Sequence, residues 1–270
     1  MPTTTTTTTT TSIPIPKLIF LIPYRDRAPQ KNHFTIYMNY ILDDMSTYEY
    51  ELYFCHQCDA RPFNRGAMKN IGFIAMREKY PDDYKNITFV FNDIDTIPAF
   101  KNVLDYETSP NIIKHFYGFD FTLGGIFSIK GADFEKCGGF PNFRGWGFED
   151  KCMQNRVLKH NMIINRANFF PIGDNNIIHV MDDPTKLISR RDCWRIDENA
   201  DTFNDIKNLT YSVEANMLNI TAFACRYEPN EDEFYKQNLI TRKSITKDKQ
   251  YSELLRPITQ LRVRNFKKLF

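Results

Sequence analysis

Residues 89–95, with the sequence FVFNDID, place a short apolar run directly before three oxygen-bearing side chains. A run of this composition is typical of a buried strand. Ligands of open α/β sheets bind at the carboxyl ends of strands, so Asp93 and Asp95 are expected to face a site. Two residues apart in extended chain, they point to the same side and can share a hard cation such as Mn²⁺ or Mg²⁺. For an isolated D-x-D, a polar turn that ends a core strand is the simpler interpretation.

The pattern on either side of this segment favours an α/β fold. Strands are predicted at residues 17–22, 51–55 and 87–91, and helices at residues 29–45 and 66–79. Strands and helices that alternate in this way are typical of a doubly wound nucleotide-binding half with right-handed crossovers. After Pro98 the pattern changes to mixed β, with strands predicted at residues 116–121 and 124–129 and an irregular loop at residues 181–201. We therefore expect a mixed central sheet.

The two ends of the chain differ in composition from its centre. Residues 1–16 are rich in threonine and are predicted to be a disordered tail, followed by one domain over residues 17–240. Residues 241–270 carry nine Lys or Arg and two acids, in a chain whose net charge is only +2. Such a basic extension is usually a solvated surface, but it can also contact an anionic partner.

Composition narrows the class of protein. The small net charge argues against a nucleic-acid partner. No segment reaches the roughly 20 apolar residues of a transmembrane helix, and the N-terminus has no signal-peptide pattern. Six scattered cysteines favour free thiols. We therefore expect a cytoplasmic or other reducing compartment, without a membrane anchor.

Two further segments suggest a ligand site. Residues 23–27, PYRDR, follow the first predicted strand, where two arginines and an aromatic ring suit an anion beside a flat ring; a solvated charged turn explains them about as well. Trp146 lies between two glycines and offers a stacking face for a sugar or base. Glu149 and Asp150 follow in the first turn of a predicted helix, where the helix dipole favours ionised carboxylates.

Taken together, these segments resemble the β-1,4-galactosyltransferase family. The resemblance covers residues 18–180, and its specificity comes from the joint order and spacing of the motifs. The matching motifs are residues 23–27 (PYRDR), 63–65 (FNR), 70–73 (NIGF), 89–95 (FVFNDID), 124–125 (GG), 139–142 (GFPN) and 145–150 (GWGFED).

The resemblance implies a single GT-A-type domain with a Rossmann-like nucleotide-binding half. It implies an inverting, metal-dependent glycosyltransferase that uses a UDP-sugar and Mn²⁺, with Mg²⁺ possible. Asp150 would be the catalytic base with Glu149 beside it, and the acceptor would be a hydroxyl of a glycan or glycoprotein. The residues implied to bind the nucleotide are Pro23, Tyr24, Arg25, Arg27, Phe63, Arg65, Asp93 and Ile94. Those implied for the sugars are Thr122, Gly124, Gly125, Trp146 and Gly147, and those for the metal are Asp95, His179 and Asn176.

Three positions depart from the family pattern. Asn176 stands where the family has a methionine ligand; because an amide oxygen is the harder ligand, we expect Mg²⁺ to compete with Mn²⁺ better than usual. Thr122 stands where galactose-specific members have a tyrosine, which predicts that UDP-GalNAc or UDP-GlcNAc is accepted as readily as UDP-Gal. Lys151 replaces an acid that helps to bind the family's acceptor.

Two other interpretations fit the same motifs. The chain could be a catalytically inactive carbohydrate-binding or scaffold protein that keeps the fold, or a GT-A transferase of other stereochemistry. Calorimetry with UDP and Mn²⁺, followed by a UDP-release assay, distinguishes binding from turnover, and the anomeric configuration of the product distinguishes inversion from retention.

Overall fold

The computed structural model describes residues 14–180, 185–192, 201–226, 228 and 230–238. The basic extension predicted at residues 241–270 lies outside them, as does most of the Thr-rich tail predicted at residues 1–16. The two domain boundaries and the anionic partner therefore stay predictions. Within the described residues, no helix is both long enough and apolar enough to span a bilayer.

The first half of the chain alternates strands and helices as predicted. Asn64 caps the second helix, because its side chain accepts a hydrogen bond from the Ala67 amide at 2.8 Å. The first helix has a proline in its first turn, where no backbone donor is lost. The elements are β1 (Leu18–Tyr24), α1 (Ala28–Ile41), β2 (Tyr50–Gln57), α2 (Arg65–Lys79) and β3 (Thr88–Asn92).

The second half contains short strands and two helices. Its helices are α3 (Gly131–Lys136) and α4 (Glu149–Lys159). Its strands are β4 (Thr96–Pro98), β5 (Ile112–Gly118), β6 (Ile126–Lys130), β7 (Ile163–Asn165), β8 (Phe170–Pro171), β9 (Ile177–His179), β10 (Thr185–Ser189), β11 (Lys207–Glu214), β12 (Met217–Ala224) and β13 (Phe234–Asn238).

Nine of the described strands form one mixed sheet in the order β11-β12-β2-β1-β3-β6-β5-β7, with β8 beside β5. Strand β1 is parallel to both β2 and β3, as a doubly wound half requires. Strand β6 runs antiparallel to β3 and to β5. Short ladders outside this sheet join β4 to β9 and β10 to β13. The predicted α/β fold with a mixed central sheet is present.

The central strands are buried on both faces, which makes the sheet a rigid support. In β1, Ile19 and Leu21 belong to one apolar cluster, while Phe20 and Ile22 belong to the cluster on the opposite face. Aromatic rings fill much of both clusters. Because side chains alternate along a strand, the apolar run of β1 serves both faces at once.

Helix α1 ends at Ile41 instead of residue 45, and two predicted segments in the second half of the chain also differ from the structure. Strand β5 covers residues 112–118 rather than 116–121, because Gly118 adopts a φ of +135° and ends it. Residues 181–201 were predicted to form an irregular loop. That prediction is wrong for β10, which pairs antiparallel with β13. The partner strand lies almost 50 residues away along the chain, so no local pattern in the sequence indicated it.

Candidate active site

A cavity of about 570 Å³ opens beside the carboxyl ends of β1 and β3. Its volume lies within the range of small-molecule sites. The segments after β1 and β3, the start of α2, the turn before β6 and the start of α4 contribute to its wall. Its lining includes most of the predicted site residues: Pro23, Arg25, Arg27, Phe63, Arg65, Asp93, Ile94, Asp95, Thr122, Gly124, Gly125, Trp146, Gly147, Glu149, Asp150 and His179.

Tyr24 is not among the lining residues, although it was predicted to bind the nucleotide. Its ring instead packs against the rings of Phe54 and His56, with centroids 6.2 and 5.0 Å away. Neighbouring residues of a strand point to opposite sides. Because Pro23 and Arg25 face the cavity, Tyr24 between them faces away from it.

Asn176 is also absent from the lining, although it was predicted to bind the metal. Its side-chain amide donates to Asp174 Oδ1 at 2.9 Å. It lies in the turn before β9, where its backbone oxygen accepts a hydrogen bond from the Ala99 amide at 2.8 Å. The structure therefore does not bring Asn176 together with Asp95 and His179, which removes the basis for expecting unusual competition from Mg²⁺.

One end of the cavity brings a carboxylate and an imidazole together. The ladder of β4 with β9 pairs Thr96 with His179, and this places Asp95 Oδ1 4.0 Å from His179 Nε2. The other ring nitrogen of His179, Nδ1, lies 2.9 Å from the Tyr117 hydroxyl. Arg27 contacts Asp95 Oδ2 at 3.0 Å. We call Asp95 and His179 the cation pair, because the two side chains together could bind one cation.

The cation pair fits one divalent ion. Protein oxygen and nitrogen ligands lie about 2.0–2.2 Å from such ions, so two ligands of one ion can be up to about 4.4 Å apart. The 4.0 Å separation meets this limit. No group of three or more His, Cys, Asp or Glu residues in the described part of the chain has metal-binding geometry. An ion held by the pair would therefore need further ligands of another kind.

The other end of the cavity is a dense cluster of charges around Arg65. The Arg65 guanidinium contacts Asp93 at 2.8 Å, Glu149 at 2.7 Å and also Asp150. Lys69, with only 1% of its side chain exposed, contacts Asp150 Oδ1 at 3.3 Å. We call these five side chains the Arg65 cluster. Buried charges without partners are very unfavourable, so each member depends on the others.

The carboxyl groups of the Arg65 cluster have different pKa shifts. Burial raises the pKa of Asp93 and of Glu149, and the attraction of Arg65 only partly offsets it. For Asp150, burial also acts upward, but Arg65 and Lys69 outweigh it and lower the pKa. Asp150 is therefore an ionised carboxylate at neutral pH. Asp93 Oδ1 is buried and has no hydrogen-bond partner among the described residues, as expected for an atom that awaits a ligand.

The predicted glycine pair lies against Asp150. A Cβ atom on Gly124 would be 2.4 Å from Asp150 Oδ2, and one on Gly125 would be 2.3 Å from the Tyr117 carbonyl oxygen. Gly125 also adopts a φ of +72°. Only glycine allows the backbone to approach the carboxylate this closely, and Thr122 lines the cavity beside the pair.

Backbone contacts hold the segment around Trp146. The Trp146 amide donates to the Leu187 carbonyl of β10 at 2.7 Å, and the Gly145 amide donates to the Phe63 carbonyl at 2.9 Å. Lys186 and Leu187 also line the cavity. Strand β10 thus forms part of the wall next to Trp146.

Sequence reasoning missed Lys69 and Tyr117. Lys69 follows Arg65 by four residues in α2, so both lie on one face of the helix, and this spacing was a readable signal. Tyr117 had no such signal, because its position opposite His179 depends on how β5, β4 and β9 come together.

Two family models match the chain. One, described as the N-terminal region of glycosyl transferase group 7, matches residues 5–106. The other, described as the N-terminal domain of galactosyltransferase, matches residues 113–180. Together they include the cation pair and the Arg65 cluster.

Relatives with this similarity include galactosyltransferases. Mouse β-1,4-galactosyltransferase 1 is 29% identical over 208 residues, which cover 73% of this chain and 51% of the mouse protein. The chain thus spans about half the length of that relative.

Two crystal structures of Drosophila β1,4-galactosyltransferase 7 have the same fold. One is a complex of the catalytic domain with xylobiose, and the other is a mutant complex with manganese, UDP-Gal and xylobiose. Their TM-scores are 0.64 and 0.63, and each is 19% identical, covering 79% of this chain and 96% of the Drosophila chain. They confirm the fold predicted from the sequence.

Proposed function

Since the chain belongs to the β-1,4-galactosyltransferase family, we propose that it is a metal-dependent, inverting glycosyltransferase. It would move a hexose or N-acetylhexosamine from a UDP-sugar to a hydroxyl of a glycan or glycoconjugate. One observation carries this proposal: a single cavity is lined both by the cation pair and by the ionised Asp150.

The donor nucleotide would occupy the end of the cavity near β1. Arg25 and Arg27 offer guanidinium groups that suit a diphosphate, and Phe63 and Pro23 offer apolar surface for the uracil ring. The Drosophila relative was crystallised with manganese and UDP-Gal, which supports a UDP-sugar donor here.

Asp95 and His179 would hold the metal ion. When bound there, a divalent ion neutralises charge that builds on the departing diphosphate. The diphosphate can itself complete the ligand set, because such ions are commonly held by one or two protein ligands and substrate phosphates. Imidazole suits transition metals, whereas Mg²⁺ prefers oxygen ligands, so Mn²⁺ should support more activity than Mg²⁺.

Asp150 would accept the proton of the attacking hydroxyl. As the new bond forms between the acceptor oxygen and the anomeric carbon, the bond from that carbon to the diphosphate oxygen breaks, and the proton passes to Asp150. General-base catalysis of this kind contributes about 10²–10⁴ in rate. Lys69 and Arg65 keep the base ionised, while Glu149 would hold Arg65 in place.

A UDP-release assay tests the proposal. Purified protein is incubated with a panel of UDP-sugars and Mn²⁺, with and without a glycan extract, and with a chelator as control. We expect release that depends on both the acceptor and the metal. With Thr122 in the sugar site, UDP-GalNAc or UDP-GlcNAc should serve as well as UDP-Gal. Binding of UDP without any release would instead support an inactive carbohydrate-binding or scaffold protein.

We also propose that the protein works in a reducing compartment. Five cysteines lie in the described part of the chain, and all five are free thiols: Cys55, Cys58, Cys137, Cys152 and Cys225. This supports a reducing compartment such as the cytoplasm. Thiol labelling of the protein in intact cells tests it, and disulfide-linked forms would contradict it.

A further inference from the structure

Residues 118–125 comprise the last residue of β5 and the loop that leads to β6, and we call this segment the sugar-site loop. Phe119, Thr122 and Gly124 from this loop line the cavity. The Leu123 amide donates to the Asp150 backbone oxygen at 3.1 Å. The position of this loop therefore determines both the shape of the sugar site and the space around the carboxylate of Asp150.

The His115 side chain forms hydrogen bonds on both sides of the sugar-site loop. Its ring is only 1% exposed. The Nε2 atom lies 3.0 Å from the Gly124 carbonyl oxygen and 3.1 Å from the Tyr117 carbonyl oxygen. Both neighbours of Nε2 are acceptors, so this nitrogen must carry a proton. One imidazole N–H is thus shared by Tyr117, the residue before the loop, and by Gly124 near its end.

Arg166 fixes the other side of the imidazole. Its Nε donates to His115 Nδ1 at 3.0 Å, so Nδ1 has no proton and the ring is neutral. The same guanidinium donates to Gln154 Oε1 at 2.7 Å. Arg166 thereby sets the tautomer of His115 and links it to helix α4, which also carries Asp150.

Gln154 holds the tip of the loop. Its side-chain nitrogen donates to the Phe121 carbonyl oxygen at 2.9 Å. The residues on both sides of Thr122 and Leu123 are therefore fixed by one continuous chain of hydrogen bonds. The chain runs from the Gly124 carbonyl through His115, Arg166 and Gln154 to the Phe121 carbonyl.

The same strand also supports the cation pair. The ladder between β5 and β6 is irregular between His115 and Tyr117, and such bulges redirect side chains near active sites. His115 faces the sugar-site loop, while the Tyr117 hydroxyl lies against His179.

We infer that His115, oriented by Arg166 and Gln154, is a positioning residue that sets the donor-sugar selectivity of the site through the sugar-site loop. This inference rests on the proposed function. The simpler alternative is a buried histidine that contributes only to stability. The two differ in outcome, because a purely stabilising residue affects the amount of folded protein but not the choice between two donors.

Three variants separate these explanations. His115→Leu removes both hydrogen bonds of the ring. His115→Gln keeps a side chain that can donate and accept within the same pocket. Phe116→Leu is the matched control, since Phe116 is buried in the cluster on the other face of the sheet, beside Tyr106, and does not line the cavity.

Kinetics with UDP-Gal and UDP-GalNAc are the first readout. Misplacement by about 1 Å can cost about 10²-fold in rate, so for His115→Leu we expect kcat/KM to fall by about 10–100-fold. The ratio between the two donors should change, while the affinity for UDP with Mn²⁺ stays near that of the wild type. His115→Gln should recover much of the loss, and Phe116→Leu should keep the wild-type donor ratio.

Hydrogen exchange of the backbone amides is the second readout and needs no activity. In His115→Leu, residues 118–125 should exchange faster than in the wild type and in Phe116→Leu. An unchanged donor ratio together with unchanged exchange in the loop would overturn the inference. A wild-type protein that transfers no sugar would refute the proposed function instead, and the exchange result would then decide alone whether His115 positions the loop.

Discussion

The two ends of the cavity are built in opposite ways. The cation pair has two potential ligand atoms separated by 4.0 Å, and Tyr117 supports it from behind. The Arg65 cluster has two cations in contact with three carboxylates. One end leaves room for an ion between two side chains, whereas the other is already filled with paired charges.

This difference predicts which step each group of residues serves, binding or turnover. At the cation pair, a metal ion would bind Asp95, beside Arg27, together with His179, so the loss of a protein ligand should affect binding first. In the Arg65 cluster two cations already contact three carboxylates, and the property that chemistry requires there is an Asp150 carboxylate that stays ionised. The loss of Asp150 should therefore affect turnover first.

The largest effect is expected for Asp150→Asn. The amide cannot accept the hydroxyl proton, so kcat should fall by about 10²–10⁴-fold. Affinity for UDP with Mn²⁺, measured by calorimetry, should stay within a few fold. Asp82→Asn, at an exposed carboxylate after α2 that does not line the cavity, is the control and should keep wild-type turnover. A near-normal kcat in Asp150→Asn would remove Asp150 as the base.

Asp95→Ala should act on binding. It removes one atom of the cation pair, so we expect metal-dependent affinity for UDP to weaken by about 100-fold. Titrations with and without Mn²⁺ measure this loss, and Asp105→Ala, an exposed carboxylate, serves as the control. Unchanged metal dependence would show that the ion binds elsewhere.

Tyr117→Phe should have a smaller effect on the same end. The hydroxyl fixes the ring orientation of His179, and groups that support a metal ligand commonly contribute 10–100-fold to affinity. We expect Mn²⁺ affinity to fall by about 10-fold, while binding of UDP without metal is retained. If Tyr117→Phe weakened UDP binding equally with and without Mn²⁺, its role would lie in the general shape of the cavity.

The smallest effect is expected for the pH dependence of stability, through the buried imidazole of His115. Burial, together with the charge of Arg166, lowers the pKa of His115 from its ordinary value of 6.5 to about 4. Between these values the unfolded chain binds more protons than the folded one, so stability falls as pH falls. From pH 7 to pH 5 this group should reduce the free energy of unfolding by about 2 kcal/mol.

Urea denaturation at both pH values measures the contribution of His115. In His115→Gln the decrease between pH 7 and pH 5 should be smaller than in the wild type by about that amount. The same decrease in both proteins would mean that His115 titrates normally in the folded state.

Local pattern was enough to predict the first half of the fold. In β1 and β3 the apolar runs identify strands buried on both faces, and Asn64 and Pro81 bracket α2. The segments that follow β1 and β3 carry Arg25, Arg27, Asp93 and Asp95, so topology alone placed these four residues at one edge.

Features that depend on distant contacts were not predictable in this way. The sequence around Asn176 gave no sign that its amide turns to Asp174 instead of the cavity. Strand β10 depends on β13 for its hydrogen bonds. The chain of contacts from His115 to Gln154 joins β5, the segment after β7 and helix α4, three elements that no local pattern relates.

The configuration of the transferred sugar tests the central claim most directly. The ionised Asp150 and the cation pair line one cavity, where the base would act on an acceptor that attacks opposite the departing diphosphate. NMR of the product made from an α-linked UDP-sugar should therefore show a β linkage. An α linkage in the product would mean that configuration is retained, and it would contradict the role assigned to Asp150.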